Sequence, residues 1–192
     1  MINVIKTDIE GVVIIEPKVF GDDRGYFFES WSQKDFNEQV RPIEFVQDNE
    51  SKSCYGVLRG LHFQIGEYSQ SKLVRVVKGK VFDVAVDIRI GSPTFGKHIR
   101  VELSEENHRQ LFIPRGFAHG FVVLSDEAVF QYKCDNYYVP QKEGALAWDD
   151  PDIGIDWGIP IDRIILSEKD KKHPRLKDST YLFSFNIDYY AD

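Results

Sequence analysis

The segment LRGLHFQ, residues 58 to 64, sets a guanidinium (Arg59) and an imidazole (His62) inside a run that otherwise suits a buried strand. Comparable intrusions recur: Lys72 heads KLVRVV, His119 lies within PRGFAHGF, and Tyr132 lies within VFQYKC. Each has an ordinary structural explanation when taken alone. A strand histidine is commonly a satisfied core or rim residue, Lys72 can blunt an edge strand, and Tyr132 shares its parity with Ala128 and Phe130, so its ring belongs to the core. Together they demand more, because every uncompensated charge buried in one β structure costs on the order of several kcal/mol. Carboxylates or an anionic ligand must meet them. The chemistry this set supports is proton transfer beside a ketone: an imidazole (unperturbed pKa about 6.5) as base, an ammonium to hold the oxyanion, and a phenol to return the proton.

Further polar groups suit recognition of a sugar and a phosphate. FGDDRGYFFESW supplies Arg24 and Glu29, and EFVQDNES supplies Gln47, Asp48 and Asn49. Strand alternation raises a difficulty, since it groups His62 with Leu58 and Gly60, and Arg59 with Leu61 and Phe63. Both polar groups enter one site only if Gly60 carries a bulge that resets the register. The sequence therefore predicts an irregularity there.

The elements that would position these residues are short. Apolar or alternating runs such as GVVIIEPKVF, KLVRVVKGKVFDVAVDIRI, HIRVELS and AVFQYKCDNYYV are punctuated by Gly, Pro and Asp, the spacing of a β sandwich or barrel. Residues 72–77 and 81–90, joined at Lys78-Gly79-Lys80, read as the clearest hairpin. Helix signals are minor: SQKDFNEQV opens on a capping Ser32 with Asp35 following. SEKDKKHP repeats the pattern with Ser167 and Asp170 until Pro174 stops it. On this reading Asp170 is an ordinary first-turn carboxylate. No repeat or linker divides the chain, which reads as a single domain over 1–192. In its tail, from about residue 178, Tyr181, Phe183, Phe185 and Ile187 alternate and should pack against the domain or a second copy.

Composition narrows the function. A chain of 192 residues with 14 Phe, 9 Tyr and 3 Trp can bury a large core without disulfides or metals. A net charge of −7 argues against a nucleic-acid partner, although local Arg and Lys can still make a cleft attractive to a small anion. No run approaches the roughly 18 apolar residues of a membrane span, and the first residues lack the features of a signal peptide. Cys54 and Cys134 lack CxxC spacing and read as reduced, buried thiols of a cytoplasmic protein. Phosphate-loop, dinucleotide and GxSxG patterns do not occur. The histidines at 62, 98, 108, 119 and 173 show no ligand spacing, which favours a metal-free site.

The blocks GDDRGYFFESW, QDNESKSCYGVLRGLHFQ, QSKLVRVVKGKVFDVAVDIR, PRGFAHGFVVLS and DPDIGIDWGIP…LSEKD resemble, in order from about residue 4 to 172, the dTDP-4-dehydrorhamnose 3,5-epimerase family. The resemblance implies an all-β, cupin-like jelly-roll barrel with short peripheral helices, a homodimer, and no metal or organic cofactor. It implies epimerisation of dTDP-4-dehydro-6-deoxy-glucose at C3 and C5. By the same resemblance His62 is the base, Asp170 orients it, Lys72 steadies the enolate, and Tyr132 returns a proton from the opposite face. Arg24, Glu29, Gln47, Asp48, Asn49, Arg59, Lys72, His119, Glu143 and Lys169 match substrate-binding positions, and Tyr138 matches an aromatic that stacks on thymine. Two departures stand out: the loop QIGEYSQSK lacks a proline pair common in the family, and no motif covers the tail. Alternatives are a C3-only epimerase, a ketoisomerase, or a sugar-binding jelly roll that would need no aligned base and acid.

Overall fold

Val-, Ile- and Phe-rich runs between Gly, Pro and Asp turns become strands in the computed structural model, which describes residues 2–191. In chain order the elements are β1 (Ile2–Lys6), β2 (Val13–Pro17), β3 (Val19–Asp22), β4 (Gly25–Phe28), α1 (Gln33–Gln39), β5 (Gln47–Cys54), β6 (Leu58–Gln64) and β7 (Lys72–Lys78). They continue with β8 (Lys80–Asp87), β9 (Arg89–Ile90), β10 (His98–Ser104), β11 (Gln110–Ile113), β12 (Phe117–Val123), β13 (Glu127–Cys134), β14 (Glu143–Ala145) and β15 (Phe183–Ser184). Six strands form one sheet in the order β1-β2-β11-β7-β13-β5, and five form another in the order β10-β8-β12-β6-β14.

The two sheets face each other as a jelly roll. Val74, Val76 and Phe130 of the first meet Val81, Ala85 and Phe121 of the second in one buried cluster, and the Phe121 and Phe130 rings stack with centroids 4.1 Å apart. Each sheet is also covered on its other face. Phe36 of α1 packs with Ile15, Leu73 and Phe112 outside the six-stranded sheet. Ile153, Trp157, Leu176 and Phe183 pack with Val84, Val86 and Val122 outside the five-stranded one. Burial on both faces explains why these strands read as nearly continuous apolar runs.

The expected hairpin at 72–90 is instead a corner. β7 pairs with β11 and β13, while β8 pairs with β10 and β12. Gly79, at φ +79, carries the chain from one sheet to the other, and a Cβ there would lie 2.1 Å from the Glu127 carbonyl. Strands buried on both faces carry no sign of which neighbour they join, so adjacency along the chain misled.

Ser32 caps α1 as expected, its Oγ accepting the Asp35 N–H at 3.3 Å. The second expected helix shrinks to a 3-10 turn over Asp170–Lys172, because too few residues separate Ser167 from Pro174. In the tail Phe183 is buried, and β15 runs parallel to β9. Tyr181 and Ile187 are exposed, contrary to the alternation reading; Tyr189, edge-on to Phe183 at 4.9 Å, anchors the segment with it. Both cysteines are free; Cys134 is buried as expected, whereas Cys54 is exposed. Among the described residues no helix is long and apolar enough to cross a membrane.

Candidate active site

The irregularity expected at Gly60 is present, and it builds the site. On β6 and β12, His62 faces His119 and Arg59 faces Phe121, so three steps along one strand match two along the other. Gly60 adopts φ +138, and a Cβ there would lie 2.5 Å from Gly120 Cα and 2.9 Å from the His119 carbonyl. Only glycine fits. The extra residue turns both Arg59 and His62 into a cavity of about 530 Å³ between the sheets. Arg59 Nε donates to Ser53 Oγ at 3.2 Å.

His62 Nε2 lies 2.6 Å from Asp170 Oδ1. The Asp170 carboxylate also accepts from Ser167 Oγ at 2.8 Å and meets His173 Nε2 at 3.2 Å. Burial opposes its ionisation, yet the bonds from His62, Ser167 and His173 outweigh burial and hold the carboxyl down at about 2. An ionised acceptor selects the Nε2–H tautomer of His62 and leaves Nδ1 as the basic nitrogen toward a ligand.

The facing sheet supplies two further polar groups of the cavity. Lys72 on β7 and Tyr132 on β13 line the same cavity, with Lys72 Nζ 5.6 Å from the Tyr132 ring centroid. Burial lowers the Lys72 pKa, opposed by Cys134, Asp83 and Glu143. Burial raises that of Tyr132, aided by Cys134 and opposed by Arg59, so the phenol keeps its proton at neutral pH. Behind them His119 Nε2 reaches both oxygens of Asp83, at 3.0 and 2.9 Å. Burial drives His119 and Asp83 each toward the neutral form, against their mutual attraction. Sequence reasoning missed Asp83; its signal was a lone acid between the apolar residues of KVFDVAV.

An adjoining lobe of about 400 Å³ shares Asn49, His62, Lys72, Tyr132 and Lys169 with the first and adds Gln47, Tyr138 and Glu143. Glu143 accepts from Tyr138 Oη at 2.6 Å and from Lys169 Nζ at 2.5 Å. The bond to Glu143, then burial, pushes the Tyr138 phenol up to about 12. Burial opposes ionisation of Glu143, but Lys169 and Tyr138 prevail and lower its pKa.

Three candidates are not brought in within one chain. Asp48 has the opposite parity to Gln47 and Asn49 on β5, and its side chain pairs with Lys133 at 2.9 Å beside a separate outer cavity. Arg24 sits on the exposed β3–β4 hairpin, paired with Asp22 at 2.5 Å. Glu29 follows β4 and lines neither lobe. The structure also assembles what dispersed spacing concealed: ligand atoms of His62, Asp170 and His173 lie within 4.8 Å of one another and could together hold a metal ion. Hydrogen bonds to one shared carboxylate oxygen already tie these three together.

Comparison with known proteins returns one family. The family model described as dTDP-4-dehydrorhamnose 3,5-epimerase matches residues 6–178. A dTDP-4-dehydrorhamnose 3,5-epimerase of Shigella flexneri is 59% identical over 180 residues, covering 93% of this chain and 98% of that one. The crystal structure of a dTDP-6-deoxy-D-glucose-3,5-epimerase from Legionella pneumophila, in complex with dTDP-4-keto-L-rhamnose, is 49% identical with a TM-score of 0.93, covering 97% of this chain and 100% of that one. A 3'-monoepimerase of Streptomyces bikiniensis, in complex with dTDP-quinovose, is 33% identical with a TM-score of 0.82 over 89% of this chain and 86% of that one.

Proposed function

The chain belongs to the dTDP-4-dehydrorhamnose 3,5-epimerase family, and from that premise we propose how its own residues invert C3 and C5 of dTDP-4-dehydro-6-deoxy-glucose. His62 Nδ1 removes the proton from the carbon beside the C4 ketone. The C–H electron pair moves into the ring, and the negative charge settles on the C4 oxygen, where the Lys72 ammonium meets it. Tyr132, on the facing sheet, delivers its proton to the other face of the same carbon, and the centre inverts. Solvent resets His62 and Tyr132, and the cycle repeats at the second carbon. Arg59 and Lys169 offer positive charge to the diphosphate, Gln47, Asn49, His119 and Glu143 hold polar groups of the ligand, and the exposed Tyr138 ring offers a face to thymine. The observation that carries this reading is the placement of His62, paired with Asp170, and Tyr132 on opposite sheets around one cavity.

The active form is a homodimer in this reading. The β3–β4 hairpin exposes Val19, Phe20, Tyr26 and Phe27, the last 70% accessible, beside Arg24. Covering this apolar arm with a second copy would bring Arg24 and Glu29 to the partner's cleft, which accounts for their distance from their own. Cytoplasmic operation belongs to the same proposal, and the exposed free thiol of Cys54 supports it. The packing of Phe183 with the apolar cluster outside the five-stranded sheet supports reading 1–192 as one domain.

Incubation with dTDP-4-dehydro-6-deoxy-glucose in D₂O, followed by NMR, tests the activity. Deuterium enters at both C3 and C5 with inversion at each. Incorporation at C3 alone would place the chain with the monoepimerases, a changed carbonyl position with the ketoisomerases, and no incorporation with binding modules.

A further inference from the structure

The family match stops at residue 178, and the chain beyond it returns to the end of β7 that carries Lys72. The Tyr190 hydroxyl lies 2.6 Å from Ser71 Oγ and accepts the Arg115 backbone N–H at 3.0 Å. Either hydroxyl can donate in the Tyr190–Ser71 bond, so the phenol is held from two sides, by Ser71 and by the Arg115 N–H. Ser71 is fully buried, and its N–H donates to Asp135 Oδ1 at 2.6 Å. Asp135 Oδ2 accepts from Arg115 Nε at 3.1 Å, and Arg115 Nη1 donates to the Tyr189 carbonyl at 2.6 Å, which closes the circuit. Arg41 covers the Tyr190 ring at 3.7 Å and pairs with Asp188 at 3.2 Å, fastening the tail from outside.

This circuit grips one rung of the sheet. Ser71 precedes Lys72, Asp135 follows Cys134, and Lys72 and Cys134 are register partners. Among the described residues the Lys72 ammonium has no hydrogen bond or ion pair of its own. Its position therefore depends on the backbone at 71–72 and on the Tyr132 ring, whose centroid lies 5.6 Å from Nζ. The geometry points to Tyr190 as a positioning residue for Lys72: the tail fixes Ser71, and through it the ammonium that meets the C4 oxygen. This inference rests on the assignment of Lys72 to that oxygen in the proposed function.

Tyr190→Phe keeps the ring and its cover by Arg41 while deleting the bond to Ser71. The loss falls on an interaction with the enolate, so kcat drops about tenfold while KM stays within about twofold. In a Lys72→Met background, with residual rates read as slow deuterium incorporation over long incubations, the same change costs less than about twofold. Ser71→Ala shows the same kcat loss and the same dependence on Lys72, and it replaces Tyr190→Phe should that variant not fold. Equal losses in both backgrounds, a raised KM at unchanged kcat, or no loss would overturn the inference. If Lys72→Met alone keeps normal turnover, the assignment of Lys72 falls and takes this inference with it. An additive loss with Lys72 essential would remove the tail's role alone.

Discussion

Two histidines line one cleft, each paired with an aspartate, and burial acts on the two pairs with opposite outcomes. Asp170, 4% exposed, is held ionised because His62, Ser167 and His173 all hydrogen-bond to it. Asp83, 0% exposed, has His119 as its hydrogen-bond partner among the described residues, and burial pushes both members toward neutrality. The number of donors reaching a buried carboxylate decides whether desolvation neutralises it. A fixed negative charge behind His62 stabilises the imidazolium formed when it takes a proton. At His119 burial opposes charge on both partners, and the imidazole is suited to a hydrogen bond. The proposed base and the proposed binder, two residues of the same type that face each other across β6 and β12, thus sit in different electrostatic surroundings.

The most severe way to probe that difference is to remove each imidazole. His62→Asn should cut C3 and C5 exchange by about 10³-fold or more while dTDP affinity persists. His119→Asn should cost about tenfold, chiefly in KM. Comparable losses from both would erase the distinction. Next come the carboxylates. Asp170→Asn should lower kcat about 10²-fold, because the ionic acceptor behind the base is gone. Asp83→Asn keeps an acceptor for His119 in a pair whose charges burial already opposes, and should change kcat by no more than about threefold.

The two acids should also leave opposite marks on stability. With a folded pKa of about 2 against 3.8, Asp170 adds stability above pH 3.8 that is lost as pH falls toward 2. Asp83, with a raised folded pKa, favours folding below pH 3.8, and that contribution fades as pH rises through its folded value. Denaturant titrations between pH 2 and 5 should show each slope flattened in its own Asn variant. The smallest expected effect is on the alkaline side. Burial lowers the Lys72 pKa, so as pH rises the ammonium is lost, and activity falls, earlier than for an ordinary lysine. Lys72→Arg should retain measurable turnover and move that limb upward, since guanidinium does not titrate there.

How much of this was legible depended on whether a signal was local. The Gly60 bulge followed from a parity conflict within a few residues, and the Ser32 cap from a four-residue pattern. The cations of the cleft stood out because each interrupts an apolar run. What joins distant segments stayed hidden. His62 and Asp170 are 108 positions apart, and nothing beside Asp83 announces His119. The corner at Gly79 looked like a hairpin because both flanking strands are apolar on both faces. Asp48 was grouped with Gln47 and Asn49 as a recognition residue, whereas plain alternation against those two would have turned its side chain outward. Arg24 belongs to an arm whose destination lies outside its own chain in the proposed dimer.

The central claim is that one wall of the cleft takes the proton and the other returns it. Tyr132→Phe separates these events, with epimer ratio and deuterium content followed by NMR in D₂O. Deuterium should still enter, because His62 can remove a proton and replace it from its own side, while inversion falls by about 10²-fold or more. Inversion that keeps pace with deuterium entry in this variant would contradict the account.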